Sequence, residues 1–402
     1  MTAFSLAWRT ARRYRARAVL AVVGVAVIGA LNFDMIMLSR GLMLSFANLI
    51  NNTGYNIRIA GSAGLPLARM PIEDASELMK QIQALPEVAA VATMRTANAA
   101  IIEPDRQDGI ELIGSSDLDG LGIWKPVSGS SLSGTEGDQA LQPAVISRPM
   151  ADRLKLVPGA TIHVRVRIAG SMSAIPAVDL RVVGAADFPF EAADTFLVAT
   201  TMEGFRKAEG GDISDQAALM FAESRASVTP EAAAAAIGKL RSDLRVFSNE
   251  QIIENFGKNA FTYFRQISVV LSTTTAAFSF LLVATLLTVS VNQRLGEVAA
   301  LRALGIARRR IAATLLWEAA MLVGIGGVLA LPVGELLALI LDRILRRMPG
   351  LPAGLHFFIF EPQSLLLHAS LLVATAVIAA AYPVWLAVKL PIAQTLRQEV
   401  VS

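Results

Sequence analysis

Two groups of residues in this sequence have the types and spacing to do work. The first lies in Asn292–Arg310, NQRLGEVAALRALGIARRR, where Arg294 and Glu297 stand three residues apart and can pair on one helical face. Leu295, Val298 and Leu301 recur at the same interval, and Arg302, Leu304 and Gly305 follow. A bare connector needs charge but no such pattern. The segment therefore reads as a cytoplasmic contact for something that drives the protein, against the simpler alternative of a basic connector that only fixes orientation. The second is Glu318, an acid roughly 10 Å inside an apolar run by helical rise. An acid in such a run marks a proton or substrate site, or a hydrogen-bonded contact between helices. The interhelical contact is the preferred reading.

Other chemistry is missing. The chain has no cysteine, which removes disulfides, thiolate metal sites and cysteine nucleophiles. It contains no GxxxxGK[ST] phosphate loop, no HExxH and no GxSxG elbow. His163, His356 and His368 have no ligand spacing, and His163 sits in an alternating stretch where a surface or packing histidine is expected. No catalytic residue, no metal and no cofactor bound by this chain is expected. A membrane-embedded hydrolase is disfavoured on the same grounds.

The elements that would position these residues are membrane spans. Of the 402 residues 54% are hydrophobic and 17% charged, with a mean hydropathy of +0.52, against about 45–50% and about 25% in soluble domains. A pI near 9.3 would suggest nucleic acid in a soluble protein; here the arginines flank apolar runs, so they report membrane orientation and no nucleic acid is expected. Residues 1–17 read as a cytoplasmic amphipathic helix with Arg9, Arg12, Arg13 and Arg15 on one side. Residues 18–54 read as a first span plus an extension, an uncleaved anchor because its apolar part exceeds a signal peptide's. Leu38, Leu42 and Leu49 continue the helical spacing until Asn51-Asn52-Thr53-Gly54 stops it.

A matching stripe opens residues 248–291. Ser248 and Gln251 form a capping box, and Ile253, Phe256 and Tyr263 follow. One helix from Asn249 to Val291 would be roughly 64 Å long, about twice the hydrocarbon thickness, so the two overshooting helices suggest an external stalk packed through these six residues. Between them, residues 55–247 read as an extracytoplasmic α+β domain of one body or two lobes. Strands are expected at Tyr55–Ala60, Thr161–Ala169 and Val178–Gly184, helices at Ile72–Ala84, Arg148–Leu154 and Pro230–Arg241, and a loop at Ser128–Gly137. After the 292–310 loop come a third span at 311–341 with Pro332 as its expected kink, an external loop at 342–362, a fourth span at 363–386 and a cytoplasmic tail at 387–402. The fold class is thus an α-helical membrane protein with four transmembrane helices and an α+β extracytoplasmic domain inserted between helices 1 and 2, both termini cytoplasmic.

This order resembles the FtsX/MacB-type permeases of bacterial ABC transporters. Gln293–Gly305 is similar to their R-x-x-E-I-G-x-L-R-A-x-G loop, with Glu297 and Leu301-Arg302-Ala303-Leu304-Gly305 fitting and Ala299 where glycine is usual. Tyr382-Pro383, Ala387, Pro391 and Leu396-Arg397 resemble the family's C-terminal finish. Val145-Ile146-Ser147, Ala151, Leu154, Val157-Pro158-Gly159 and Val182-Val183-Gly184 resemble its exported domain. The resemblance implies a non-enzymatic permease subunit, without a fused ATPase domain, in the inner membrane. It would work as a dimer with a second copy or a paralogue and with two ABC ATPase subunits that carry ATP and magnesium. Membrane lipids and a periplasmic adaptor or substrate protein would be further partners. The stroke would export or extract a lipoprotein, lipid, peptide or drug; the alternative is a non-transporting regulator that activates an external cell-wall enzyme.

Overall fold

Runs of more than twenty apolar residues need solvent-free surroundings along their whole length, and alternating stretches need a sheet; the chain separates the two. The computed structural model describes all residues except 1–2, 53, 62–70, 104–105, 120–122, 136–140, 168–174, 193, 212–214, 259, 294–295, 297–303, 347, 349–350, 353 and 390–402. In chain order the elements begin with α1 (Ala3–Arg13), α2 (Arg15–Asn51), β1 (Ile57–Gly61), β2 (Ile72–Glu73), α3 (Ala75–Gln83), β3 (Val88–Glu103), β4 (Arg106–Ser115) and β5 (Lys125–Gly129). There follow β6 (Gln142–Ser147), α4 (Arg148–Leu154), β7 (Thr161–Val166), β8 (Val178–Asp187), β9 (Phe196–Thr201), α5 (Met202–Ala208), β10 (Gln216–Ala217) and β11 (Leu219–Ser224). The chain continues with α6 (Pro230–Gly238), β12 (Leu244–Ser248), α7 (Asn249–Lys258), α8 (Ala260–Asn292), α9 (Arg308–Leu345) and α10 (Pro362–Lys389). These form two units. One comprises Met1–Leu44, Phe261–Leu345 and His356–Ser402; the other comprises Ser45–Ala260 and Arg346–Leu355.

The first unit is helical. Arg15–Asn51, Arg265–Asn292, Arg308–Leu345 and Pro362–Trp385 are each long and apolar enough to cross a membrane. Their contacts fix relative directions. Gly24 approaches Leu282 while Asn32 Nδ2 donates to the Ser272 carbonyl, so α2 and α8 run antiparallel. Gly326 meets Val25 and Gly334 meets Phe33, so α2 and α9 run parallel. Gly327 meets Leu372, while Ala319 and Val323 pack with Ala376, Ala379 and Ala380, so α9 and α10 run antiparallel. Small residues permit this closeness: a Cβ at Gly326 would lie 2.7 Å from the Val25 side chain.

Several boundaries differ from the sequence expectation. The N-terminal helix ends at Arg13, and Arg15–Arg17 belong to α2; the Arg15 side chain donates to the Arg12 carbonyl (3.1 Å) at the break. Helix α9 begins at Arg308, runs through Pro332 without interruption and continues to Leu345, which shortens the following connection. Helix α10 includes Pro383. The helix expected from Asn249 to Val291 is present as α7 and α8, with residue 259 between them outside the described residues.

The second unit is α+β. Strands β3, β4, β9, β6, β8 and β7 pair in that order, and β7 pairs back onto Ala99–Ile101 of β3, closing a six-stranded barrel. β4 and β9 are parallel, as are β6 and β8; the other neighbours are antiparallel. Leu112, Ile146, Val164, Leu180, Val198 and Phe205 fill its interior, all fully buried. The N-terminal half of β3 instead pairs with β11, from which β1 and β12 extend, and α3 and α6 bring Leu78, Ile82 and Ile237 to a second core with Ile57 and Ile59. One strand therefore serves two lobes.

The expected helix from Ile72 starts later. Ile72–Glu73 pair with β10, Asp74 sits in the left-handed region at φ 52, and α3 begins at Ala75 with the Ser76 N–H bound by the Asp215 carboxylate (3.0 Å). The loop expected over Ser128–Gly137 holds the end of β5, paired with β8, and a 3-10 turn at Leu132–Thr135. Ser248 and Gln251 cap reciprocally: the Ser248 N–H donates to Gln251 Oε1 (3.1 Å) and the Gln251 N–H to Ser248 Oγ (3.2 Å).

Candidate coupling site

The segment that the sequence offers as a driven contact leaves α8 at Asn292 and returns at α9. Arg294, Glu297, Leu301 and Arg302 lie outside the described residues. Leu304 and Gly305 form a turn on the return side. Leu304 is 80% exposed, and Gly305 has φ +85, a conformation that glycine adopts without steric cost. Ile306 then packs on Val291, Ile311 and Leu315, with Val384 alongside, so the turn is anchored to its neighbouring helices.

Beside this anchor, three helices share one polar cluster. Glu318 of α9 is 1% exposed. Its Oε1 accepts from Arg17 Nη2 of α2 (3.1 Å) and from Ser290 Oγ of α8 (3.0 Å). Arg17 Nη2 also donates to Ser290 Oγ (2.6 Å), and Nη1 donates to Gln293 Oε1 (3.2 Å) where α8 ends. The Ser290 hydroxyl thus accepts from the guanidinium and donates to the carboxylate. The Arg17 guanidinium lies 5.4 Å from the Tyr14 ring centre, which places the rest of its surface against an aromatic face. This is an interhelical ionic contact; it holds the loop's departure point against α2.

The six residues assigned to the stalk divide. Leu42 and Leu49 are buried; Leu38, Ile253 and Phe256 are half-buried. Phe256 lies 4.6 Å ring to ring from Phe46, and Asn249 Nδ2 donates to the carbonyls of Ile50 (3.3 Å) and Tyr55 (3.2 Å), so α7 is tied to the last turns of α2. Tyr263 does not join them. It is 71% exposed, on the same open face of α8 as Ile267 and Val270. His163 is a surface residue whose Nδ1 meets Asp179 Oδ1 at 2.5 Å.

Sequence reasoning missed several buried polar groups. Asp34 is fully buried in α2 beside Gly334, and His368 is 2% exposed in α10 against the Phe33 ring at 5.2 Å. In the α+β unit Glu191 is 4% exposed, with its carboxyl pushed up to about 7 by burial against the opposing hydrogen bonds of Ser147 and the Leu197 N–H. An ionisable residue within an apolar span is itself the signal that would have found Asp34.

Four helices long and apolar enough to cross a membrane, together with an α+β unit, define the class as a multi-pass membrane protein. Residues 18–240 match the MacB-like periplasmic core domain and residues 269–392 match the FtsX-like permease C-terminal domain. The first match alone covers more than half of the chain, which belongs to the FtsX/MacB-type permease family, the permease component of ABC transporters. Among solved structures, the periplasmic region of MacB from Actinobacillus actinomycetemcomitans is similar at 13% identity and a TM-score of 0.40, covering 52% of this chain and 95% of that one. The extracellular domain of the noncanonic ABC-type transporter YknZ from Gram-positive bacteria is similar at 13% identity and a TM-score of 0.33, covering 48% and 100%. No curated protein sequence matches the chain.

Proposed function

We propose that this chain relays nucleotide-driven movement of two ATPase subunits, carried on separate chains with ATP and magnesium, to its α+β domain on the other side of the membrane. The relay would serve export or extraction of a lipoprotein, lipid, peptide or drug, with a second permease copy or paralogue completing the assembly. The observation that carries the reading is the Arg17–Ser290–Glu318 cluster, which ties the base of the 292–307 segment to three spans, so that a push on that segment would move helices rather than the segment alone. The arginines at both membrane-flanking clusters, and the alternating helix directions, support an N-terminus, loop and C-terminus on the cytoplasmic side with the α+β domain outside. Glu297, Arg302 and Leu304 would meet the ATPase.

The test is ATPase stimulation in the assembled complex. Glu297→Lys and Arg302→Glu are expected to leave assembly of the α+β domain intact and to lower stimulated turnover at least about tenfold, the loss of one charge-assisted contact. Wild-type stimulation in both variants would remove the loop from the mechanism.

A further inference from the structure

Helix α1 does not prolong α2 away from the other helices. The two break at Tyr14, where the Arg15 side chain donates to the Arg12 carbonyl. Had α1 continued the line of α2, Phe4 would stand about 20 Å beyond Arg17 by helical rise. Instead its ring meets the Trp317 ring edge-on at 5.5 Å, one residue before the Glu318 that binds Arg17. Ala7, one turn further along α1, is fully buried. The helix is thus folded back against α9 at the depth of Arg17, where the apolar run of α2 begins with Ala18. In a bilayer that depth is the headgroup layer.

What α1 turns outward suits that layer in two ways. Phe4, Trp8 and Trp317 are 48%, 50% and 48% exposed, half packed and half open, as interfacial aromatic rings are. Arg9, Arg12 and Arg13 are exposed on the neighbouring flank, and Arg12 stands one turn from Trp8. Arg9 and Arg12 make no ion pair among the described residues, and no acidic residue precedes Asp34 in the chain. Their charge is therefore balanced from outside the helix. A zwitterionic lipid carries its own ammonium beside its phosphate, whereas an anionic lipid brings net negative charge to the same depth. A protein partner would have to enter the headgroup layer beside Trp8 to reach these arginines. We infer that α1 is a binding surface for anionic phospholipids, with Arg9 and Arg12 on the lipid phosphate and Phe4 and Trp8 along the upper acyl chain. The surface rests on the crossing of the membrane by α2 and α9 and is independent of the force-relay reading.

Quenching by brominated lipid tests it. The full chain is reconstituted in mixed vesicles of phosphatidylcholine and phosphatidylglycerol, with one lipid or the other dibrominated in its acyl chains. Quenching of Trp8 is read as the difference between the wild type and Trp8→Phe. Both lipids are expected to quench Trp8, with phosphatidylglycerol associating at least about fivefold more strongly, the gain from one arginine near an anionic surface. Arg9→Gln combined with Arg12→Gln is expected to bring that preference below about twofold while Trp8 stays quenched, and salt at about 1 M is expected to do the same to the wild type. Arg9→Lys combined with Arg12→Lys keeps both charges and is expected to keep the preference. Equal association of the two lipids with the wild type, or an unchanged preference in the glutamine pair, overturns the anionic-lipid surface. A Trp8 that neither lipid quenches overturns the placement of α1; loss of co-purifying ATPase subunits in the glutamine pair would then assign the arginines to a protein partner.

Discussion

Glu191 shows how one side chain sets a pH dependence. Burial pushes its carboxyl from 4.5 to about 7, while Ser147 and the Leu197 N–H only partly offset this. Below about pH 4.5 both folded and unfolded chains hold the proton, and the residue costs nothing. As pH rises from about 4.5 towards 7 the unfolded chain ionises first, so stability falls, and above about 7 the full penalty of about 1–3 kcal/mol is present. Glu191→Gln keeps an acceptor for its partners and carries no charge. It is expected to raise the unfolding midpoint of the α+β unit at pH 8 and leave it unchanged at pH 4, measured by denaturant titration of the full chain in detergent. Gly305 is different in kind. A Cβ there would meet nothing within 4 Å, so any replacement would act through backbone strain alone. Glu318 was legible because an acid follows seven uncharged residues after a basic cluster. Asp34 carries the same signal, and it is lost only when Asn32 and Asp34 are averaged into one run of apolar neighbours.

Between elements, the Arg17–Glu318 pair has two unequal halves. Arg17 is 18% exposed at its side chain and carries a long stem that can carry its charge towards the headgroups; Glu318 is 2% exposed and cannot. Arg17→Ala therefore takes a cation away from a buried carboxylate, whereas Glu318→Ala leaves a cation that can reach water. Arg17→Ala is expected to cost about 3–5 kcal/mol and Glu318→Ala clearly less, read as thermal midpoints in detergent; the reverse order would mean that the pair is not buried in the membrane protein. The same scale explains which elements could be read in advance. The Ser248–Gln251 cap and the stop at Asn51 depend on local chemistry that the sequence carries in adjacent residues. The β3–β4 hairpin does not. Its VAAVATMRTANAAIIE stretch has small residues on both faces because β3 packs against different partners along its length, and alternation disappears. Tyr263 differs for the opposite reason: its spacing is helical, but it and Ile267 are 71% and 56% exposed, so spacing alone does not bury that face among the described residues.

At the scale of the molecule, hydropathy made the spans plain and could not reveal the barrel, because closure by β7 depends on pairings between residues more than sixty positions apart. The two lobes of the α+β unit share β3, so opening of either core is expected to disturb the other. Amide exchange should show this directly: β3 amides from both halves are expected to exchange together, by one global opening, and slower than those of β12 at the sheet's edge. Independent exchange of Val88–Met94 and Ala99–Ile101 would show two separable bodies. The covalent continuity of β3 also has a mechanical side. A load that slides one lobe along this strand relative to the other bears on the ten register pairs of β3 with β4 at once, as a lap joint does in shear, whereas a load across the strand would open them one after another. The domain is thus stiff along β3 and compliant across it, a grain that any stroke delivered to it has to follow.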